Sequence, residues 1–317
     1  MKKILLLGDD RTGLMSPIIE EMTSQGYYVD YIDASELDKQ RKYPSILHRL
    51  MAKLVLNFFC KGKKNWGREK YVREISSESY SHVLVFIPAM INSFIARDLR
   101  KKTENLVCIL WDSLNKVPCG DVLNTYADKI FSFDYDDCKN INVNYLPSYH
   151  QNQIDFNVRE EQDIFGVFSI GTDRDPRYQE ILAFVHANEN ITGEIILVSD
   201  KLNESLVTIN NINVLITNHK VLGCELDEKI KKSKGILDIV DPRQVGLSFR
   251  LGHAFQYKKL LITNNESIKN ETWFEGDYIY FQAPNYRLNE NKFSESFCEV
   301  ESPYIIEAWV KTLLSFK

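Results

Sequence analysis

The chain has 317 residues, 44% hydrophobic and 26% charged, which is room for two domains of ordinary size with real cores. The net charge of −5 argues against non-specific nucleic-acid binding. Six scattered cysteines form no CxxC pair, so neither a zinc site nor a disulfide framework is indicated, and a cytosolic location fits.

Residues 3–7 are an apolar run ending at Gly8, as in a buried parallel strand. The run is too short for a secretion signal. Ser16 is the expected N-cap of the next helix, with Pro17 at its first position. A second strand covers 28–32. Residues 45–60 carry Ile46, Leu50, Leu54 and Phe58 at helical spacing, followed by Lys61, Lys63, Lys64, Arg68 and Lys70. Strands are expected at 81–87, 106–111 and 128–133, with a helix over 92–102.

A polar stretch at 150–161 interrupts the pattern, and the boundary is placed there. The pattern then restarts with a strand at 165–171 and a helix at 176–187. Strands at 194–199, 213–216, 236–240, 260–263 and 278–281 follow, then a helix over 304–316. Strands alternating with helices predict α/β architecture with mainly parallel sheets. The expectation is two Rossmann-like, doubly wound domains facing a cleft: 1–155 on the acceptor side, 156–303 on the donor side, and 304–317 packing back on the first. No segment reaches the roughly 18 apolar residues of a membrane span.

In such sheets ligands bind beyond the carboxyl ends of the strands. The segment after 236–240 is informative there. A helix over 247–257 offers unpaired amides and a partial positive charge at its start, near Gly246, Leu247 and Ser248, suited to a phosphate. Arg250 and His253 share a helical face. Arg250 can grip a phosphate bidentately, while His253, Asp241 and Gln244 can bind oxygens or hydroxyls. The turn Gly171-Thr172-Asp173-Arg174 is a second phosphate-loop candidate, with Arg174 and Arg177 as anion contacts. Each of these residues also has an ordinary reading as a cap, a surface ion pair or a packed histidine.

Several motifs carry a resemblance: "ILWDS" at 109–113, "FSFDYDDCKN" at 131–140, "LPSYH" at 146–150, "FSIGTDRDPRYQEIL" at 168–182 and "DPRQVGLSFRLGHAFQYKKLLITNN" at 241–265. Together they resemble GT-B-type glycosyltransferase-like proteins of bacterial lipopolysaccharide, O-antigen and capsule biosynthesis. The resemblance implies transfer of a sugar from a nucleotide-sugar donor, as a substrate and without a cofactor, to a glycan or lipid-linked acceptor. His253 stands where the pattern implies a glutamate. That departure motivates a second reading, a catalytically inactive GT-B-like subunit that binds a nucleotide sugar or a partner; a polyol-phosphate transferase is a third.

Asp112, in the family-like "WDS", is the candidate general base toward an acceptor hydroxyl, with a structural cap as its alternative. His253 is the second candidate at the reaction centre. No metal is expected: Asp134, Asp136 and Asp137 read as a helix start. The basic tail after 45–60 gives two readings, peripheral contact with the inner face of the cell membrane or a solvated helix end.

Overall fold

The computed structural model describes residues 2–10, 13–33, 45–47, 50–51, 79–139, 142–274, 277–294 and 301–315. The chain forms two compact units. The first comprises residues up to Leu146 together with those from Trp309 onward, and the second runs Pro147–Ala308.

The first unit holds β1 (Lys3–Gly8), α1 (Met15–Ser24), β2 (Tyr28–Asp33), β3 (His82–Val85), α2 (Ser93–Arg100), β4 (Leu106–Leu110), α3 (Gly120–Tyr126), β5 (Lys129–Ser132) and β6 (Val143–Tyr145). Its strands lie in the order β2-β1-β3-β4-β5-β6, each pair parallel. Every residue of β3 and β4 is buried, because a parallel sheet covered on both faces needs apolar side chains on both. Leu5, Leu7, Val83, Val85, Cys108 and Leu110 pack with Ile95 and Leu99 of α2. Each such side chain contributes about 1.5–3 kcal/mol by leaving water.

The helix start after β1 differs from the expected cap. Helix α1 begins at Met15, and Leu14 makes no side-chain cap bond. Asp10 does that work instead, accepting from Met15 N at 2.8 Å and from Ser16 Oγ at 2.9 Å. Trp309, beyond the second unit in sequence, is buried in the first, its ring 6.1 Å from that of Phe86.

The second unit holds β7 (Gln162–Ser169), α4 (Pro176–Ala187), β8 (Gly193–Val198), β9 (Ser205–Ile209), β10 (Ile212–Thr217), α5 (Cys224–Lys231), β11 (Ser233–Asp238), α6 (Phe249–Gln256), β12 (Leu260–Thr263) and β13 (Tyr278–Tyr280); α7 (Ile306–Leu314) follows and passes into the first unit. The strand order is β13-β12-β11-β7-β8-β10-β9, and only β9 runs antiparallel to its neighbour. Phe168, Leu237 and Ile262 pack with Ile181 and Phe184 of α4 in one cluster. Phe165, Ile236 and Leu261 pack with Leu251 and Phe255 of α6 in another. The alternation of β7 and β11 thus feeds two helix layers, which is the doubly wound arrangement.

The change of unit at Leu146 precedes the sequence-based boundary of 155, for a physical reason. Residues 150–161 are polar in composition but bonded along the second unit. His150 N donates to Tyr304 O at 2.8 Å, Ile154 N to Gln256 O at 2.9 Å and Glu161 N to Lys232 O at 2.8 Å. The helix expected over 45–60 and its basic tail lie largely outside the described residues.

Candidate functional site

The second sheet runs outward from β7 through β8 to β10, then returns to β11, β12 and β13 on the other side of β7. The winding therefore reverses between β7 and β11, and the carboxyl ends of these strands define the crevice of a doubly wound sheet. Three side chains meet there. The Arg250 guanidinium carbon lies 4.5 Å from the centroid of the Phe168 ring, and that of Arg177 lies 6.0 Å from the same ring.

Arg250 is clamped. Its Nη1 donates to Asp238 Oδ1 at 3.1 Å and its Nη2 to the Val167 carbonyl at 2.6 Å. Arg177 Nη2 donates to the Ser169 carbonyl. In both arginines Nε is buried with no protein partner. Burial, and then the neighbouring Arg250 charge, lower the Arg177 pKa from its ordinary value, against the pull of Asp175, Asp241 and Asp238. Two cations that repel each other, each with an unspent donor, form a site that an anion stabilises.

Asp238 ends β11 and is buried. Besides Arg250 it accepts from Ser248 Oγ at 2.8 Å and from Thr263 Oγ1 at 3.0 Å. Ser248 is the N-cap of α6, its hydroxyl also accepting from Arg250 N at 3.2 Å. Asn264 and Asn265 hold the loop between β11 and α6. Asn264 Oδ1 accepts from Val240 N at 3.0 Å, and Asn265 Nδ2 donates to Gly246 O at 2.9 Å.

Other sequence-predicted residues fall differently. Asp241 does not present a free carboxylate to a hydroxyl: Arg243 binds both of its oxygens, Nε to Oδ1 at 2.9 Å and Nη2 to Oδ2 at 2.6 Å. Gly246 is buried with its carbonyl held by Asn265, and the Leu247 side chain lies in the core. Gln244 is half-buried, its N–H donating to Asp241 O at 2.8 Å. Gly171, Thr172 and Arg174 are exposed beyond β7, with Arg174 N donating to Thr172 Oγ1 at 3.3 Å. Asp175 caps α4 by accepting from Arg177 N at 3.0 Å.

His253 lies three residues beyond Arg250 on α6. Burial, then the Arg250 charge, lower its pKa to about 4, against a raising pull from Asp227. It is therefore a neutral imidazole at neutral pH, able to exchange single hydrogen bonds but not to act as a cation.

In the first unit, Asp112 is exposed, with Oδ1 accepting from Lys116 Nζ at 2.7 Å. Asp137 ties two loops together, accepting from Ser132 Oγ at 2.7 Å and from Leu114 N at 3.1 Å. Asp134 Oδ1 accepts from Asp136 N at 2.8 Å, and Asp136 pairs with Lys139. Among the described residues, no group of three or more His, Cys, Asp and Glu side chains is placed to hold a metal.

The chain superposes along nearly its whole length on solved glycosyltransferase structures. The Anabaena protein HepE in complex with UDP and glucose matches with a TM-score of 0.54 at 11% identity, covering 99% of this chain and 93% of that one. An alpha-glucosyltransferase in complex with UDP and a mismatched 13-mer DNA gives 0.54 at 12% identity, covering 99% and 91%. A glycosyltransferase involved in avilamycin A biosynthesis gives 0.52 at 8% identity, covering 99% and 93%. The fold is of the GT-B type. No protein-family model and no curated protein matches the chain in sequence.

Of the residues singled out in the sequence, the structure brings Arg177 and Arg250 together over Phe168, and Ser248 and Arg250 together on Asp238; neither Phe168 nor Asp238 was among those singled out. The signal for Asp238 was present: a carboxylate inside the apolar run Ile236-Leu237-Asp238-Ile239-Val240 must be buried, and a buried carboxylate needs donors.

Proposed function

We propose that the protein is a glycosyltransferase using a nucleotide-sugar donor, with the donor diphosphate held by Arg177 and Arg250 at the carboxyl ends of β7 and β11. The observation that carries this reading is the pair of guanidiniums over Phe168, each with a buried and unspent Nε donor. The GT-B fold supports it, as do the UDP-bound states of two structures sharing that fold.

In the reaction, the bond between the anomeric carbon and the diphosphate oxygen breaks as the acceptor oxygen bonds to that carbon. The hydroxyl proton leaves to a base, and the departing diphosphate keeps the electron pair. Fixed cations aimed at that leaving group stabilise the charge it develops. The two guanidiniums supply that charge themselves, so transfer proceeds without a divalent metal. Neutral His253, one turn along α6 from Arg250, hydrogen-bonds the transferred sugar. Asp112 is the acceptor-side base.

The acceptor is a glycan or a lipid-linked glycan of bacterial surface polysaccharide, as the motif resemblance implies. Peripheral contact with a membrane fits Ile46 and Leu47, which are 79% and 76% exposed, and the basic residues that follow in sequence. Among the described residues no helix is long and apolar enough to cross a membrane.

Thermal shift and calorimetry against UDP, GDP, dTDP, ADP and CMP sugars, followed by transfer assays, test the reading. Saturable binding of one donor, displaced by its nucleoside diphosphate, is expected. Absence of binding across the panel would overturn it. The observation favouring the inactive-subunit reading is that His253 is a neutral imidazole where the resemblance implies a carboxylate. Donor binding without hydrolysis or transfer to any acceptor would select it.

A further inference from the structure

We infer that Asp238 is a positioning residue for the anion site, an inference that rests on the donor-site reading above. Asp238 acts through Arg250 rather than by touching the ligand. Its carboxylate joins three elements at the point where the sheet winding reverses: β11, which carries it, β12 through Thr263, and the start of α6 through Ser248 and Arg250.

The geometry separates its two kinds of partner. Ser248 and Thr263 are neutral donors that fix the carboxylate in place, and Arg250 is the cation paired with it among the described residues. Burying a carboxylate costs its hydration, and the ion pair with Arg250 together with the two hydroxyl donors offsets that cost.

The benefit is reciprocal. A free arginine side chain carries about 2 kcal/mol of rotamer entropy. In this chain the guanidinium is restrained at Nη1 by Asp238, at Nη2 by the Val167 carbonyl and on its face by Phe168. The Nε edge is left without a protein partner. An anion meets a donor that is already aimed, and the ordering cost is met in folding rather than in binding. Arg177 lacks such a device: among the described residues no ion pair restrains it, and its hydrogen bond runs to the Ser169 carbonyl. The two arginines are therefore unequal, Arg250 held by an ion pair and Arg177 by a carbonyl alone. Asp238 also brings a negative charge close to the anion, and positioning outweighs that repulsion.

A double-mutant cycle on the full chain decides the matter, with UDP and inorganic pyrophosphate as probes in calorimetry. Asp238→Asn keeps the shape and removes the charge. It is expected to weaken UDP binding about tenfold with Arg250 present and less than about twofold in the Arg250→Ala background. Thr263→Val removes a donor from Asp238 without touching Arg250; it is expected to lower Tm and leave Kd within about twofold. A purely structural Asp238 would instead give equal losses in both backgrounds, and that result overturns the inference, as does unchanged or tighter binding in Asp238→Asn. Should Asp238→Asn not fold, Asp238→Glu, which keeps the charge and displaces it, runs the same cycle with the same criteria. Pyrophosphate binding without nucleotide binding would defeat the donor reading alone and leave the cycle to judge Asp238. A wild-type chain that binds neither probe defeats both.

Discussion

The Arg250 guanidinium carbon sits 4.5 Å from the centre of the Phe168 ring, and Phe168 itself is fully buried. One aromatic side chain thereby closes the core beneath α4 and supports a cation at the carboxyl end of its own strand. Phe168→Leu keeps most of the apolar volume and removes the π face. A cation over a ring contributes about 0.5–2 kcal/mol, so UDP affinity is expected to fall by about 2- to 30-fold. A calorimetric Kd unchanged from wild type would show that the ring only packs.

Arg177→Ala is the cleaner probe of the anion site. Apart from the Ser169 carbonyl no hydrogen-bond partner is lost, so Tm should stay near wild type while the Kd for UDP rises more than about tenfold. Arg250→Ala should match it in affinity but also lose Tm, because it leaves the buried Asp238 carboxylate without its cation.

Acid should unfold the second unit through two histidines. Burial, then Arg250, set the His253 pKa near 4; burial, then His253, set that of fully enclosed His150 near 3. Both lie below the ordinary 6.5, so between about 4 and 6.5 the unfolded chain binds the extra protons. Stability is therefore complete above about 6.5 and falls with pH, by up to about 1.4 kcal/mol per unit per histidine. His253→Gln should flatten the fall in Tm between pH 6.5 and 4.5. A slope equal to wild type would show that His253 charges freely in the folded chain.

Gly193 fixes the contact between β7 and β8. A Cβ built there would lie 2.8 Å from the Ile164 carbonyl oxygen, and backbone of the neighbouring strand gives way poorly. Gly193→Ala is expected to cost about 1–3 kcal/mol of stability by overpacking. Urea unfolding measures it, and a loss below that range would mean that the strands move apart cheaply.

Much of this was legible because parallel strands announce themselves. Runs such as Ile4-Leu5-Leu6-Leu7 and Leu260-Leu261-Ile262-Thr263 can only be buried on both faces, and the loops after them must carry the chemistry. Strand β9 was not legible, although its partner β10 was read at 213–216. Leu206 and Val207 of β9 are both exposed, so no alternation marks the strand, and its signal was the Asn210-Asn211 turn with Asn210 at φ 55°. Partner choice was hidden too. Nothing in the order Asp241-Pro242-Arg243 says that the arginine folds back on the aspartate, and nothing in the spacing of 238 and 250 says that they meet. Helix start points failed where a cap reached across a loop, as Asp10 does to Met15.

The return of Trp309 to the Phe86 ring has a bearing on biosynthesis. The first unit needs side chains from both extremes of the chain, so a ribosome has to translate the whole second unit before that cluster can close. Until then, Phe86 has, among the described residues, only its neighbour Trp111, 4.9 Å away between ring centres, as a ring to pack against.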